Sequence, residues 1–210
     1  MNVDDKKTLV YIKNLFKSFG EKEIFIDWNC AIGRGEFVVL TGPSGCGKTT
    51  LLNMIGGLEP VTSGDIIVNG LNIVTAKKLR KYYRDVVGFV FQNFALVDQK
   101  TVEDNLEMVH PKGMTDVSIE EALDSVGMAG YEKQKVFTLS GGEQQRVSLS
   151  RLRLKKCELI LADEPTGSLD RKNGEKVMQI LKELNKEGKT IVMVTHEESL
   201  IEDAMRVIKL

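Results

Sequence analysis

The sequence predicts an α/β protein in which a mostly parallel sheet is flanked by helices and carries an inserted helical subdomain. Three observations support this. Short runs that are apolar on both faces, as in buried parallel strands, occur at Phe37–Leu40, Leu159–Ala162 and Ile191–Val194. A glycine-rich loop follows the first run and precedes a helical pattern. Residues 94–139 contain polar helical segments but no strong strand. We expect one domain over residues 1–210, with a core at 1–91 and 156–210 and a helical insert at 92–155.

Apolar runs bounded by turn residues predict the individual elements. The predicted strands cover residues 8–15, 23–32, 36–42, 64–70, 87–92, 158–163, 190–196 and 205–210. Helical patterns cover residues 48–56, 102–109, 118–127, 142–155 and 171–187. The alternation of strands and helices is typical of parallel sheets. The sequence ends at Leu210 inside the last predicted strand. We therefore expect no C-terminal regulatory domain, and a sheet edge that is either open or covered by a partner.

Composition limits the classes of function. The chain has 29 Lys+Arg and 30 Asp+Glu and a net charge of −1, so charge gives no reason to expect a nucleic-acid partner or an anionic membrane. Its three scattered cysteines favour a reduced, cytoplasmic protein. The N-terminal segment is charged where a secretory signal is apolar, and no apolar run approaches the about 20 residues of a membrane helix. We expect a soluble chain, for which another polypeptide would supply any membrane part.

The loop GPSGCGKTT fits the pattern GxxxxGK[ST] of a P-loop, between a predicted strand and a predicted helix. Its backbone N–H groups and the helix N-terminus would bind phosphate oxygens. Lys48 is expected to reach the β- and γ-phosphates, Thr49 a Mg²⁺ ion and Thr50 another phosphate oxygen. The alternative is a glycine turn of a Rossmann-like fold. Cys46 is either a small residue that fits the loop or a redox-sensitive thiol. The predicted nucleotide-binding residues here are Gly42, Pro43, Ser44, Gly45, Cys46, Gly47, Lys48, Thr49 and Thr50.

Two adjacent acids end the strand LILAD. Successive side chains of a strand point to opposite faces, so Asp163 and Glu164 are expected to have different roles. We assign Asp163 to Mg²⁺ and Glu164 to the water that attacks the γ-phosphate. The alternative is that the pair only caps the following loop.

Two further polar residues follow predicted strands. His196 ends TIVMVTH and Gln92 ends VGFVFQ, and ligands of open α/β sheets bind at the carboxyl ends of the strands. His196 is expected to contact the γ-phosphate and help to hold the attacking water. Gln92 is expected to contact Mg²⁺ and that water. His110, beside a proline in the polar insert, is expected to be a surface residue.

A second small-residue cluster, in TLSGGEQQR, opens a predicted helix. Ser140, Gly141 and Gly142 would form an anion site at the helix N-terminus, away from the chain's own P-loop. A second subunit arranged head to tail could bring this cluster to the γ-phosphate. The alternative is an ordinary capping box, with Ser140 at the N-cap and Glu143 three residues later. These residues alone do not decide between the two.

The motifs GPSGCGKTT, LSGGEQQR, LILADE and SLD, with Gln92 and His196 in their order, resemble the ATP-binding subunit of an ABC transporter. The resemblance covers essentially the whole chain, and LSGGEQQR is among the most specific of short motifs. It implies a P-loop NTPase core of the ABC type with an N-terminal antiparallel β part. It also implies that Glu164 is the catalytic base and that Phe19 stacks on adenine while Phe16 lies in the core. The implied residues at the dimer interface are Ser140, Gly141, Gly142 and Glu143 of the signature and Ser168, Leu169 and Asp170 of a dimer loop.

The same resemblance implies an ATP hydrolase that uses ATP and Mg²⁺ and forms a homodimer with ATP. Its partner would be an integral membrane permease subunit, one short helix of which would enter a groove around Gln92 and the helical insert. The protein would be cytoplasmic and peripheral on the inner face of the cell membrane. FVFQNFALV and ADEPTGSLD are similar to the branch that serves lipoprotein release, macrolide and antimicrobial-peptide export, bacitracin resistance and cell division. We expect export or extraction of an antimicrobial peptide first, and of a lipoprotein or drug second.

Two other classes of function remain as alternatives. An ABC-type switch of the repair or chromosome-organising type needs a long coiled coil before the signature, but only 47 positions lie between Gln92 and Ser140. A small-molecule P-loop kinase is disfavoured by Glu164, His196 and the signature together. The sequence departs from the family pattern at Leu152, Arg153 and Cys157, and none of these positions touches the expected chemistry.

Overall fold

The computed structural model describes residues 7–77 and 79–210 of the chain. The predicted domain and core ranges also include residues 1–6 and 78, which lie outside the described residues. The strands are β1 (Thr8–Phe19), β2 (Lys22–Gly33), β3 (Phe37–Thr41), β4 (Ser63–Val68), β5 (Leu71–Asn72), β6 (Val87–Val90), β7 (Leu159–Asp163), β8 (Thr190–Val194) and β9 (Arg206–Lys209). The α-helices are α1 (Lys48–Ile55), α2 (Arg80–Asp85), α3 (Val102–Leu106), α4 (Ile119–Asp124), α5 (Gly141–Leu154) and α6 (Arg171–Lys186).

The strands form two sheets. The first is antiparallel, with the order β2-β1-β4-β5, and the second is parallel, with the order β6-β7-β8-β3-β9. Strands β3, β7 and β8 occupy the interior of the parallel sheet, and their apolar residues are almost fully buried. The three apolar runs of the sequence therefore correspond to strands that are covered on both faces. Strand β9 pairs with β3 and forms one edge of this sheet.

Four of the six α-helices in the described part of the chain begin at a residue whose side chain caps the helix. Thr101, Ser118 and Ser140 each take part in a complete capping box, and Asp170 caps α6. Helix α1 differs, because its N-cap is Gly47 and no side chain bonds to its first amides. These N–H groups are therefore available for a ligand.

The sequence predicted most elements but misplaced some of their ends. Helix α2 was not predicted, and the patterns at 102–109 and 118–127 were too long, because α3 ends at Leu106 and α4 at Asp124. Residues 92–155 contain helices and short 3-10 turns rather than named strands. However, Leu149 and Leu152 of α5 share one apolar cluster with Val90 and Ile160 of the sheet. The division into a core and an insert stays a prediction.

Candidate nucleotide-binding site

The parallel sheet brings four predicted functional segments to one edge. The P-loop follows β3, Gln92 follows β6, Asp163 and Glu164 end β7, and His196 follows β8. Because these strands are parallel neighbours, their carboxyl ends meet. The order along the sheet places the acids of β7 between Gln92 on one side and His196 and the P-loop on the other.

The P-loop is a tight turn that needs its glycines. Gly42, Gly45 and Gly47 have φ values of 145°, 79° and 102°, in the region that L side chains rarely adopt. A Cβ on Gly47 would also lie 2.5 Å from the side chain of Ile24. The chain can therefore turn sharply here and present the uncapped amides of α1.

Lys48 lies over this turn. Its Nζ donates to the carbonyl oxygens of Gly42 and Pro43, at 2.8 and 2.9 Å. The Sγ of Cys46 is 3.9 Å from the same Nζ and would lie 2.9 Å from a Cβ on Gly42. Cys46 therefore packs inside the loop. The ammonium group is held at the loop by weak neutral acceptors, which a phosphate oxygen can replace with a charge-assisted bond.

Thr49 and Asp163 form a pair of oxygen donors beside the loop. Thr49 Oγ1 donates to Asp163 Oδ1 at 3.0 Å, which joins the start of α1 to the end of β7. Burial raises the pKa of Asp163, and the neighbouring Glu164 adds to the rise, while the bond from Thr49 opposes it. A hard divalent cation would favour the ionised carboxylate, and hydroxyl and carboxylate oxygens are the ligands that Mg²⁺ prefers. The residues present therefore fit Mg²⁺.

Glu164 and His196 form an ion pair at the same edge. His196 Nδ1 lies 2.9 Å from Glu164 Oε2, and Glu164 has a left-handed backbone with φ of 47°. Such a conformation costs free energy in a residue other than glycine and is concentrated at functional sites. The turn directs the Glu164 side chain toward β8. The hydrogen bond to Glu164 raises the pKa of His196, with the charge of the carboxylate as the second cause.

This coupling predicts a measurable change in titration. In a Glu164→Gln variant, we expect the pKa of His196 to fall from its raised value toward its ordinary value of 6.5, because the carboxylate that favours the imidazolium is gone. An NMR titration of the ring protons measures this directly, and the chain contains only two histidines. The other, His110, contacts the backbone of Lys112 and serves as the internal reference. An unchanged His196 titration would contradict the ion pair.

Gln92 and Glu164 approach the same glycine. A Cβ on Gly167 would lie 3.4 Å from Gln92 Nε2 and 3.5 Å from Glu164 Cβ. Gln92 is exposed, so its amide is accessible to a ligand at this edge. The residues that the sequence assigned to metal, water and phosphate therefore lie in one region of the molecule.

The signature cluster is a capped helix start in the single chain. Ser140 Oγ lies 2.7 Å from Glu143 Oε2 and accepts from the Glu143 amide, and the carboxylate also accepts from the Ser140 amide. These bonds to Ser140 lower the pKa of Glu143. A Cβ on Gly142 would lie 2.5 Å from the side chain of Asn173, so helix packing also requires this glycine. Within the described residues, no hydrogen bond joins residues 139–151 to residues 42–50.

The predicted dimer loop is connected to the signature helix. Asp170 caps α6 and binds the amide of Asn173, whose Oδ1 accepts from Arg146 of α5 at 2.9 Å. Leu169 would lie 3.8 Å from a Cβ on Gly141, while Ser168 is exposed. Sequence reasoning missed Asn173 and Arg146, because their pairing joins segments that are distant in sequence.

Phe19 and Phe16 lie near the end of β1. Phe19 is 50% exposed, whereas Phe16 is partly buried. The Nζ of Lys17 lies 4.3 Å from the centroid of the Phe19 ring, and it is held by Glu59 and the carbonyl of Pro60. Lys17 thus covers one face of the ring and leaves the other for an aromatic ligand. This is compatible with the predicted role of Phe19, which stays a prediction.

No helix in the described part of the chain is long and apolar enough to cross a bilayer.

Comparisons with known proteins identify the family. The model of the ABC transporter family matches residues 25–167, which include the P-loop, Gln92, the signature and both acids of β7. The chain is 42% identical over 218 residues to the uncharacterized ABC transporter ATP-binding protein MJ0796 of Methanocaldococcus jannaschii, covering 96% of this chain and 93% of the relative. It is also 40% identical over 220 residues to the macrolide export ATP-binding/permease protein MacB of Psychrobacter cryohalolentis. That match covers all of this chain but 33% of MacB, so the chain spans about a third of that relative's length.

The fold agrees with the sequence comparison. A solved dimeric structure of MJ0796, in a post-hydrolysis state with ADP and Pi, superimposes with a TM-score of 0.83 at 37% identity. The superposition covers 96% of this chain and 94% of that one. The prediction of an ABC ATPase fold, with a parallel sheet and an N-terminal antiparallel sheet, is therefore confirmed. The chain belongs to the ABC transporter family.

Proposed function

We propose that the chain is the ATP-hydrolysing subunit of an ABC transporter, and that the closing and opening of its ATP-bound dimer moves a membrane partner. The observation that carries this proposal is the convergence of the P-loop, Asp163, Glu164 and His196 at one edge of the sheet. The relatives support it, because one is named as a macrolide export ATP-binding/permease protein and another has a dimeric structure with ADP and Pi.

Different residues of the candidate site bind different parts of Mg-ATP. The uncapped amides of α1 and the Lys48 ammonium bind the β- and γ-phosphates, and Phe19 offers its free ring face to the adenine. Thr49 and Asp163 would hold Mg²⁺, with Gln92 as a further oxygen donor. When bound, the ion neutralises part of the phosphate charge.

Hydrolysis requires a positioned water and an acceptor for its proton. The water oxygen attacks the γ-phosphorus in line, the bond to the β,γ-bridging oxygen breaks, and the water proton passes to the Glu164 carboxylate. ADP keeps the electron pair of the broken bond. His196 holds one carboxylate oxygen of Glu164 at 2.9 Å and so fixes the direction of the base. Most of the acceleration in such reactions comes from positioning and charge stabilisation.

A second copy of the chain completes each site. Ser140 and the N-terminus of α5 make no hydrogen bond to the described P-loop residues of their own chain, although they form an anion site. In a two-fold dimer, the signature of each chain covers the γ-phosphate on the other. The capping box and this role are compatible, because the cap uses the Glu143 amide and leaves those of Gly141 and Gly142 available.

A groove of about 620 Å³ suits the membrane partner. Its lining combines apolar side chains such as Phe89 and Met108 with basic ones such as Arg80 and Lys155, and no acidic residue lines its described part. It lies between α2, β6, α5 and residues 105–110 of the predicted insert, and Gln92 lies two residues after the end of β6. An amphipathic helix of the partner with apolar and acidic residues would fill it.

Purification from membranes of the natural host tests this assignment. We expect the wild-type chain to co-purify in mild detergent with an integral membrane protein. Met108→Asp should recover much less of that membrane protein, because a carboxylate replaces an apolar contact. Met108 is 51% exposed, and Leu58→Asp, at a residue that is 49% exposed three positions after the end of α1, is the matched control. Equal recovery with Met108→Asp would place the partner elsewhere.

The transported substrate is proposed from the branch of the family. Export or membrane extraction of an antimicrobial peptide, a lipoprotein or a drug is consistent with the motifs FVFQNFALV and ADEPTGSLD. Of these three classes of substrate, the relative that is named for macrolide export supports a drug. The protein would act as a cytoplasmic, peripheral subunit on the inner face of the membrane.

A further inference from the structure

The turn that follows Gln92 has an unusual backbone. Phe94 and Ala95 both have left-handed conformations, with φ values of 63° and 48°, although neither is glycine. Two consecutive left-handed residues with side chains are costly, and such a turn persists only where the surroundings hold it. Its own bonds are short-range, from the Phe94 amide to Phe91 and from the Ala95 amide to Asn93.

The side chain of Arg151, from helix α5, holds this turn. One terminal nitrogen of the guanidinium donates to the Ala95 carbonyl and the other to the Phe94 carbonyl, both at 2.8 Å, and the second also reaches Ser148 Oγ at 3.2 Å. Burial lowers the pKa of Arg151, and these oxygens offset the cost of burying its charge. The planar guanidinium carries donors on two terminal nitrogens and can bind two neighbouring carbonyls at once. The ammonium of lysine has one nitrogen and cannot reproduce this geometry.

Two further contacts place the turn between the signature and the groove. The ring of Phe94 would lie 3.5 Å from a Cβ on Gly141, at the start of α5. Arg151 lies ten residues later on the same helix and also lines the groove of about 620 Å³. The turn that carries Gln92 is therefore in contact with α5 near both ends of the helix, and one of these contacts is made by a residue that also lines the groove.

We propose that Arg151 is a positioning residue that fixes the turn of residues 92–95 on α5, so that Gln92 is held at the ATP site. The proposal rests on the proposed role of Gln92 in hydrolysis. It does not require Arg151 to touch ATP. Its direct consequence is that Arg151 affects turnover through the backbone of Phe94 and Ala95.

Steady-state ATPase kinetics of the full chain test this. Arg151→Met keeps most of the apolar stem but removes both carbonyl bonds, and we expect kcat to fall on the order of tenfold, the value of one charge-assisted hydrogen bond. KM for ATP should change much less, since the P-loop and Phe19 are not touched. Arg151→Lys restores the charge and one donor nitrogen in place of two, so its kcat should lie between those of Arg151→Met and the wild-type chain. The control is Arg153→Met, because Arg153 pairs with Glu183 and Glu187 of α6 instead of the turn.

A second substitution separates positioning from a general loss of stability. Ala95 is exposed, and glycine adopts its left-handed backbone without the penalty of a side chain. Ala95→Gly should therefore recover part of kcat in the Arg151→Met background while leaving the otherwise wild-type chain nearly unchanged. Hydrogen exchange at residues 92–97 should become faster in Arg151→Met and not in Arg153→Met.

The outcomes distinguish this inference from the proposed function. Unchanged exchange at the turn in Arg151→Met, equal losses of kcat in Arg151→Met and Arg153→Met, or no recovery with Ala95→Gly would overturn the role of Arg151. A different result would be faster hydrogen exchange at the turn in Arg151→Met with a normal kcat, together with a normal kcat in Gln92→Ala. It would overturn the role of Gln92 in hydrolysis and leave Arg151 as the residue that holds the turn.

Discussion

Replacement of Glu164 by glutamine should lower the rate of ATP hydrolysis by about 10²–10⁴-fold, the usual contribution of a positioned general base. Glutamine keeps the size of the side chain and one oxygen near His196, which lies 2.9 Å from Glu164 Oε2 in the wild-type chain. It cannot take the proton of the attacking water. Lys48, Thr49 and Asp163 are unaltered, so the affinity for ATP should change little. Steady-state hydrolysis and equilibrium binding of a fluorescent ATP analogue measure the two effects separately.

The same variant should also change its oligomeric state with ATP. A dimer that closes on two ATP molecules reopens when they are cleaved, so Glu164→Gln should run as a dimer in gel filtration with ATP and as a monomer without it. Glu158→Gln is the matched control, because Glu158 immediately precedes the other end of β7 and contacts Arg34 and Asn69. Near-normal hydrolysis by Glu164→Gln would mean that the base is another residue. An inactive variant that stays monomeric with ATP would count against the two-subunit site.

The local conformations at the candidate site that the sequence predicts depend on local signals. These signals are the GKT of the P-loop, the buried run before Asp163, and the capping pair Ser140 and Glu143. Each of the three consists of residues that are only a few positions apart in the sequence. Their geometry follows from glycine conformations, strand periodicity and helix-capping bonds, which operate over the same short range. The fold class follows from the buried strands in the same way.

The parts that the sequence did not predict depend on contacts between distant segments. Arg151 reaches carbonyls more than 50 positions earlier, and Arg146 pairs with Asn173 on another helix. Helix α2 has a polar sequence, and Leu79 at its N-cap makes no side-chain capping bond, so no local signal marks its start. The left-handed backbone of Glu164 is equally invisible, since glutamate is not a residue type that favours it. Tertiary packing determines these features.

Replacement of Lys48 by alanine should abolish ATP hydrolysis and strongly weaken ATP binding. The ammonium is the main positive charge at the loop, and the two carbonyls it now contacts, of Gly42 and Pro43, are replaced by charged phosphate oxygens when ATP binds. Charge-assisted hydrogen bonds contribute about 1.5–3 kcal/mol each, so the dissociation constant should rise by roughly 10–100-fold or more. At an ATP concentration of about 100 wild-type dissociation constants, ATP should stabilise the wild-type chain by about 2.7 kcal/mol against unfolding. Lys48→Ala should lose about half of this gain or more, which thermal unfolding with and without ATP measures. The exposed Lys100→Ala should keep the full gain.

Mixing experiments show whether the Lys48→Ala chain is still folded and where its signature acts. A Ser140→Arg chain, with a large charged side chain at the start of α5, should also be inactive alone. If each site combines the P-loop of one chain with Ser140 of the other, a mixed dimer of the two variants has one site damaged twice and one site intact. Equal amounts should then recover about a quarter of the wild-type rate, because half of the dimers are mixed and each has one working site of two. A chain that carries both substitutions should recover nothing when it is mixed with either single variant. If the mixture of the two single variants stays inactive, the signature would serve the site of its own chain or no ATP site at all. Separately, wild-type-like turnover by Lys48→Ala alone would refute the assignment of Gly42–Thr50 as the phosphate site.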